Sequence, residues 1–271
     1  NIRFEHVFSL PDGTVHLKSS ARGDGFVLRF PGNADFWIDA DQRLIAAYPF
    51  AGVSNDALAH LLLDQVLPRL LSHLGQLALH ASGVVIEDQA VIFLGESGLG
   101  KSTLAAEFHF NGFRGFADDT VFMEKIDGGF VAGPAYAGFR LWPDSARNYA
   151  LLSASLPPVS LIHGKRRLVL RTDDVIDIPL PLRAIYVLTA PDAIDTDIFI
   201  DAIAPKDAFW TLMRYIFRLV VPDRDQMSRD LSVVGELADS VPCFSLKYPR
   251  EYNQLPVLRQ RLLEHGTSLR A

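Results

Sequence analysis

The chain has one cysteine, Cys243, in 271 residues. One thiol cannot close an internal disulfide and cannot build a cysteine-rich zinc cluster. Its run, Val241-Pro242-Cys243-Phe244-Ser245-Leu246, reads as a strand holding a buried structural thiol rather than a nucleophile. The eight histidines show no H-E-x-x-H or other ligand spacing. No apolar run reaches the roughly 18 residues of a membrane helix. Leu212 to Val221 comes closest, and Arg214 and Arg218 are expected to draw a polar stripe along a helix there. Cationic excess is lacking too: the net charge is −6. Nonspecific nucleic-acid binding needs a cationic face and is not expected, although Lys165-Arg166-Arg167 is a local basic patch. Asn1-Ile2-Arg3-Phe4-Glu5-His6 does not read as a signal peptide. The expected setting is cytoplasmic, with no membrane partner.

What is present is a phosphate-binding signature. Gly95-Glu96-Ser97-Gly98-Leu99-Gly100-Lys101-Ser102 fits G-x-x-x-x-G-K-[ST] at every fixed position. Ala90-Val91-Ile92-Phe93-Leu94 before it reads as a buried strand, and Ser102-Thr103-Leu104-Ala105-Ala106-Glu107-Phe108 after it as a helix start. Strand, glycine loop and helix are the context the motif requires. The backbone N–H groups and the helix N-terminus suit a polyphosphate. Lys101 is expected on the β- and γ-phosphates and Ser102 on Mg²⁺. The cofactor pair is therefore ATP with Mg²⁺, bound by residues 95 to 102 and Thr103.

Phe116-Ala117-Asp118-Asp119-Thr120-Val121-Phe122 follows, with Asp118 only 17 residues past Lys101. The interval holds one short helix, a turn at Asn111-Gly112 and a strand. Neighbouring side chains on a strand point to opposite faces, so unless the strand ends between them the two aspartates divide the work. One is expected on the metal, the other on the proton of an incoming hydroxyl. Ahead of the loop, Leu77 to Ile86, Glu87-Asp88-Gln89 and Ala90 to Leu94 read as strand, turn, strand. His80 lies on the first strand and can share protons at neutral pH.

The chain is 49% hydrophobic, enough for one large or two modest domains. Residues 1–52 read as a small antiparallel β region, with runs at Gly25–Phe30, Asp35–Asp39 and Leu44–Tyr48 between turns at Pro11-Asp12-Gly13, Pro31-Gly32-Asn33 and Asp39-Ala40-Asp41. Residues 53–271 read as the P-loop core with C-terminal helices. A helix capped at Ser54-Asn55-Asp56, with Leu58, Leu61, Leu62, Gln65-Val66, Leu70 and Leu74 near helical spacing, is expected to kink or end one segment at Pro68 and to stop at Gly75. Asp127-Gly128-Gly129 reads as a hairpin turn. The stretch 153–166, holding Pro157-Pro158, reads as a loop able to help hold a peptide. Buried strands are expected at Arg183–Thr189 and Ile198–Ile200. Two helices broken near Pro222 should fill 204–240, followed by a strand at 242–247 and a helix near 255–264.

Leu-His-Ala-Ser-Gly-Val-Val-Ile, Gly-Glu-Ser-Gly-Leu-Gly-Lys-Ser and Ala-Asp-Asp, in this order and this close, resemble the HPr kinase/phosphorylase family over about residues 77 to 125. The resemblance implies an α/β fold: a P-loop core of the HPr kinase/phosphoenolpyruvate carboxykinase type with a mixed β-sheet. It implies serine phosphorylation with Mg-ATP and possible assembly as a homo-oligomer. The flanks Leu61–Leu71, Gly138-Phe139-Arg140-Leu141-Trp142-Pro143-Asp144-Ser145 and Leu246-Lys247-Tyr248-Pro249-Arg250 resemble the shorter branch that phosphorylates lasso-peptide precursors. The family's Glu-x-Arg-Gly-x-Gly segment has no clean counterpart; Tyr136 to Trp142 stands there. The resemblance therefore leaves HPr as the substrate and the reverse phosphorylase reaction open. Arg140 is the nearest charged residue, open to a role or to being a solvated edge-strand arginine.

The function expected is transfer of the γ-phosphate to a serine of a precursor peptide or small protein. Following the resemblance, Lys101 stabilises the transferred group, Asp118 takes the proton, His80 tunes that network, and Asp119 with Ser102 favours the metal; the reverse division of the two aspartates stays open. Two alternatives stand beside it: a small-molecule kinase, and a nucleotide-dependent regulator that transfers nothing.

Overall fold

The structure is a computed structural model that describes residues 4–9, 13–23, 25–135, 138–150, 156–159, 164–190, 197–220 and 224–269. Pro11-Asp12, Tyr136-Ala137, Pro222, much of the 153–166 stretch and the first three residues, all used above, lie outside them.

The N-terminal strands β1 (His6–Ser9), β2 (Val15–Arg22), β3 (Gly25–Phe30), β4 (Ala34–Asp39) and β5 (Ile45–Pro49) pair in sequential order, all antiparallel. Strand β4 shows why: Ala34, Phe36 and Ile38 are buried while Asp35, Trp37 and Asp39 alternate outward. Helix α1 (Asn55–Leu61) follows, with the Ser54 hydroxyl accepting from the Ala57 N–H at 3.2 Å. It runs through a π turn (Leu62–Val66) into α2 (Leu67–His73). The irregularity lies one turn ahead of the proline expected to cause it. Pro68 sits in the first turn of α2, where its missing N–H leaves nothing unpaired. Gly75, at φ +99°, ends the helix as expected, and the Gln76 N–H closes onto Leu71 O at 3.0 Å. Leu74, expected on the apolar stripe, is exposed. Leu61, Val66 and Leu70 cover Leu17, Leu28, Phe36 and Ile38, so the core of this sheet runs past residue 52 into the helices.

The run Leu77–Ile86, expected as one strand, is two. Strand β6 (Leu77–Leu79) and strand β7 (Ser82–Ile86) are separated at His80-Ala81. The His80 N–H donates to Tyr215 O at 2.7 Å, beside the bridge of Leu79 to Ile216. Then come β8 (Gln89–Leu94), α3 (Lys101–Phe110), β9 (Gly115–Ala117), and the hairpin β10 (Val121–Ile126) and β11 (Gly129–Pro134) turning at Asp127-Gly128. A ribbon of β12 (Gly138–Leu141) and β13 (Arg166–Val169) flanks α4 (Pro143–Asn148). The chain closes with β14 (Leu180–Leu188), β15 (Phe199–Ala202), α5 (Pro205–Arg214), α6 (Arg224–Ser240), β16 (Cys243–Lys247) and α7 (Leu255–Ser268).

The nine-stranded sheet is mixed: β6-β10-β11-β14-β8-β7-β9, with β16 also on β14 and β15 on β16. Strands β8, β14 and β16 are mutually parallel, and β7 is antiparallel to both β8 and β9. Alternation along β8 and β14 sorts the core. Ile92, Leu94 and Ile185 face Leu212 of α5 and Val234 and Leu237 of α6. Val91, Phe93 and Tyr186 face Leu104 and Phe108 of α3 and Leu258 of α7. Helices thus cover both faces of the sheet.

Two further expectations are corrected. Strand β15 is an exposed edge strand, with Phe199 44% exposed, because among the described residues only β16 pairs with it. The polar stripe of Arg214 and Arg218 does not form. Helix α5 ends at Arg214 because Ile216 bridges to Leu79 and the Phe217 N–H donates to Ala78 O. Arg218 instead donates to Met213 O at 3.0 Å. Among the described residues, no helix is long and apolar enough to cross a membrane.

Candidate active site

The pairing directions gather the motifs. The C-terminal ends of β8, β9 and β16 and the N-terminal end of β7 all lie at one end of the sheet. Gly95 leaves β8 there, Asp118-Asp119 leaves β9, Tyr248 to Arg250 leaves β16, and His80 precedes β7. The carboxyl end of parallel strands is where such sheets bind ligands.

The loop 95–100 is shaped by close backbone approach. A Cβ on Gly95, at φ +148°, would stand 2.9 Å from Leu188 O; one on Gly100, at φ +96°, would stand 2.7 Å from the Tyr248 hydroxyl. Gly100 begins α3 with no side chain capping the helix, so no side chain competes there for the first-turn N–H groups. Lys101 is buried, and its ammonium donates back to Gly95 O at 2.6 Å and Glu96 O at 3.3 Å. Burial, partly opposed by Asp119, pulls its pKa down to about 8. Arg250 donates to Gly98 O, and Glu96 pairs with Arg214 at the surface at 2.7 Å.

The two aspartates part company. Strand β9 ends at Ala117, and Asp119 takes a left-handed conformation at φ +70°, which Asp tolerates. Asp118 is 1% exposed, with the Ser82 hydroxyl donating to its Oδ1 at 2.6 Å and the Arg140 N–H to its Oδ2 at 2.8 Å. Asp119 lines a pocket of about 290 Å³ with His80, Lys101, Ser102 and Thr103. Ser97, Gly98 and Gly100 line it too; Gly95, Glu96, Leu99 and Asp118 do not. Burial alone would raise the Asp119 pKa, but Arg140, His80, Lys165 and Lys101 outweigh it and hold the carboxyl well below the usual range.

His80 Nδ1 lies 3.0 Å from Asp119 O and 3.3 Å from Asp119 Oδ1. A carbonyl only accepts, so Nδ1 carries the proton and Nε2 is the bare nitrogen. Burial, reinforced by Lys101, Lys165 and Arg140 against the opposing pull of Asp119, lowers the ring's pKa to about 3.

Several lining residues were not assigned from sequence. Arg140 is not a solvated edge arginine. It is 5% exposed, pairs with Asp119, sits 3.0 Å from Asp64 and donates to Asp118 O at 3.2 Å. Lys165, in the basic patch, reaches the pocket and stands 5.6 Å from the centre of the Trp142 ring. Tyr252 donates to Asp144 Oδ2 at 2.7 Å and contacts Ser145, whose hydroxyl in turn holds Thr103 Oγ1 at 3.1 Å. Trp142-Pro143-Asp144-Ser145, with Pro in the first turn of α4, was the sequence signal for this wall.

The donor set also bears on Mg²⁺. That ion keeps several waters and takes one or two protein oxygens beside substrate phosphates. Ser102 and Asp119 share the pocket, and among the described residues no three His, Cys, Asp or Glu side chains gather as a closed cage. This set fits Mg²⁺ held together with a polyphosphate.

No protein-family model matches the chain, and no curated protein matches it. Solved structures do match. One is the Hpr(Ser) kinase/phosphatase from Coxiella burnetii, at 12% identity over 72% of this chain and 99% of that one, with a TM-score of 0.41. Backbones that diverge so far do not transfer residue roles.

Proposed function

We propose that this chain is a P-loop kinase that transfers the γ-phosphoryl group of Mg-ATP to a serine hydroxyl on a precursor peptide or small protein. The observation that carries the reading is the meeting of Lys101, Ser102, Asp119 and His80 around one pocket at the mouth of a strand–glycine loop–helix unit.

The phosphates lie against the 95–102 backbone and the N-terminus of α3, and Lys101 leaves its own loop carbonyls to meet them. Ser102 and Asp119 would hold Mg²⁺, which supplies charge neutralisation on the phosphates. The apolar side of the pocket, Trp142, Tyr252 and Leu255, suits the base of the nucleotide. The serine oxygen attacks the γ-phosphorus, the bond to the β-phosphate oxygen breaks, and ADP leaves. The hydroxyl proton goes to His80 Nε2, the bare nitrogen of a ring lining the pocket, whose lowered pKa rises when the negative phosphates enter beside it. This assignment replaces the division in which Asp118 took the proton, because both Asp118 oxygens already accept hydrogen bonds beneath the pocket. Lys165 and Arg250 at the pocket suit an acidic or phosphorylated ligand.

The test is transfer from γ-labelled ATP to a panel of serine peptides, small proteins and small metabolites, with Lys101→Ala as control. Label on a peptide serine supports the reading. Label on a metabolite alone moves it to a small-molecule kinase, and nucleotide binding without label to a regulator.

A further inference from the structure

The segment Leu62–Val66 belongs to none of the motifs that define the pocket, yet it touches the pocket's carboxylate. Its backbone is a π turn, with the Leu67 N–H donating to Leu62 O five residues back. Here Asp64, Gln65 and Val66 are all buried, at 1%, 8% and 0% exposure. Such turns recur at functional sites.

Gln65 and Asp64 reach the same two residues. Gln65 Nε2 donates to Asp119 Oδ2 at 3.1 Å. Asp64 Oδ1 lies 3.0 Å from Arg140 Nη2, while Arg140 Nη1 pairs with Asp119 Oδ2. The Asp64 contacts to Arg140 and His60 are at ion-pair distance without the alignment of hydrogen bonds. Gln65 is itself fixed: its Oε1 accepts from Arg69 Nη1 at 2.9 Å and lies 3.2 Å from His16 Nε2 on β2. Asp119 therefore has Oδ2 held by two donors from two elements. Its other oxygen, Oδ1, is the one left near His80 and able to serve a ligand in the pocket.

We infer that the π turn is a positioning device: Gln65, with Asp64 acting through Arg140, fixes the Asp119 carboxylate so that Oδ1 faces the pocket, and the N-terminal strands reach this contact through His16. The inference rests on the kinase reading for its rate consequences and on geometry alone for the orientation of Asp119. Buried charge networks of this kind are seldom the most stable way to fill a core. A positioning role accounts for a guanidinium and an amide being brought to one carboxylate oxygen, with Asp64 behind the first and Arg69 behind the second.

The test uses the full chain with Gln65→Met, which keeps volume and removes the donor, Gln65→Glu, which sets a carboxylate against Asp119 Oδ2, and Asp64→Asn. Each is measured for folded fraction, Mg-nucleotide affinity and kcat per folded molecule. The expected result is nucleotide affinity within about twofold of wild type, with kcat down roughly 10–100-fold in Gln65→Met. A larger loss is expected in Gln65→Glu, because like charges repel. Wild-type kcat per folded molecule in Gln65→Met and Asp64→Asn, with any loss of activity tracking lost folded protein, overturns the inference. If the wild type transfers nothing, the kinase reading has failed separately. A crystal structure of Gln65→Met then decides this one: a displaced Asp119 carboxylate supports it, an unmoved one overturns it.

Discussion

Arg140 and Asp118 are joined twice through the backbone: the Arg140 N–H donates to Asp118 Oδ2 at 2.8 Å, and the Arg140 guanidinium donates to Asp118 O at 3.2 Å. The same guanidinium then pairs with Asp119. One aspartate thus anchors the strand that carries the arginine, and the other receives the arginine's charge.

Asp118→Asn should act first on stability. Both carboxylate oxygens accept from donors, so an amide NH₂ must face one of them. A loss of roughly 1–3 kcal/mol is expected, the cost of a buried donor left unpaired. Urea unfolding measures it. Unchanged stability with complete loss of transfer would return Asp118 to the role of proton acceptor.

His80→Asn keeps an N–H for Asp119 O and removes the nitrogen that accepts the proton. Transfer should fall by about 10²–10⁴-fold, the usual contribution of a positioned base. Nucleotide affinity should stay near wild type by calorimetry. A loss of affinity as large as the loss of rate would make His80 a binding residue only.

Nucleotide affinity should decline as pH rises through about 8, the lowered pKa of Lys101. Phosphates favour the charged ammonium, so the bound pKa is higher than the free one. Between the two values binding takes up a proton. Calorimetry in buffers of different ionisation enthalpy should show that uptake, and Lys101→Ala should abolish it.

Cys243 should resist thiol reagents in the folded protein. Burial in β16 pushes its pKa up to about 12, so thiolate is scarce at neutral pH. Labelling timed against unfolding should show modification only as the chain opens. Rapid labelling of native protein would contradict this.

The parts legible in the sequence are those fixed by local rules. Gly95, Gly98 and Gly100 with Lys101 announce the loop because its shape depends on neighbours in the chain. The alternation in β4 and the Ser54 cap are local in the same way. The pairing at His80 was hidden because its partner, Tyr215, lies far along the chain. Arg140 could not be placed because its partners are Asp64, Asp118 and Asp119, from two other segments. The π turn was invisible because helical periodicity assumes a uniform rise, and Pro68 offered a nearer explanation for an irregularity. The split of Asp118 from Asp119 depends on a left-handed residue that the Asp-Asp pair allows without announcing.

The most direct test of the kinase reading is mass spectrometry of a panel of serine-containing peptides and small proteins after incubation with the protein, ATP and Mg²⁺. Wild type should add a phosphoryl group to one serine, and Lys101→Ala and His80→Asn should add little or none. Nucleotide bound tightly by wild type, with no phosphorylated serine on any peptide or protein offered, would contradict the account.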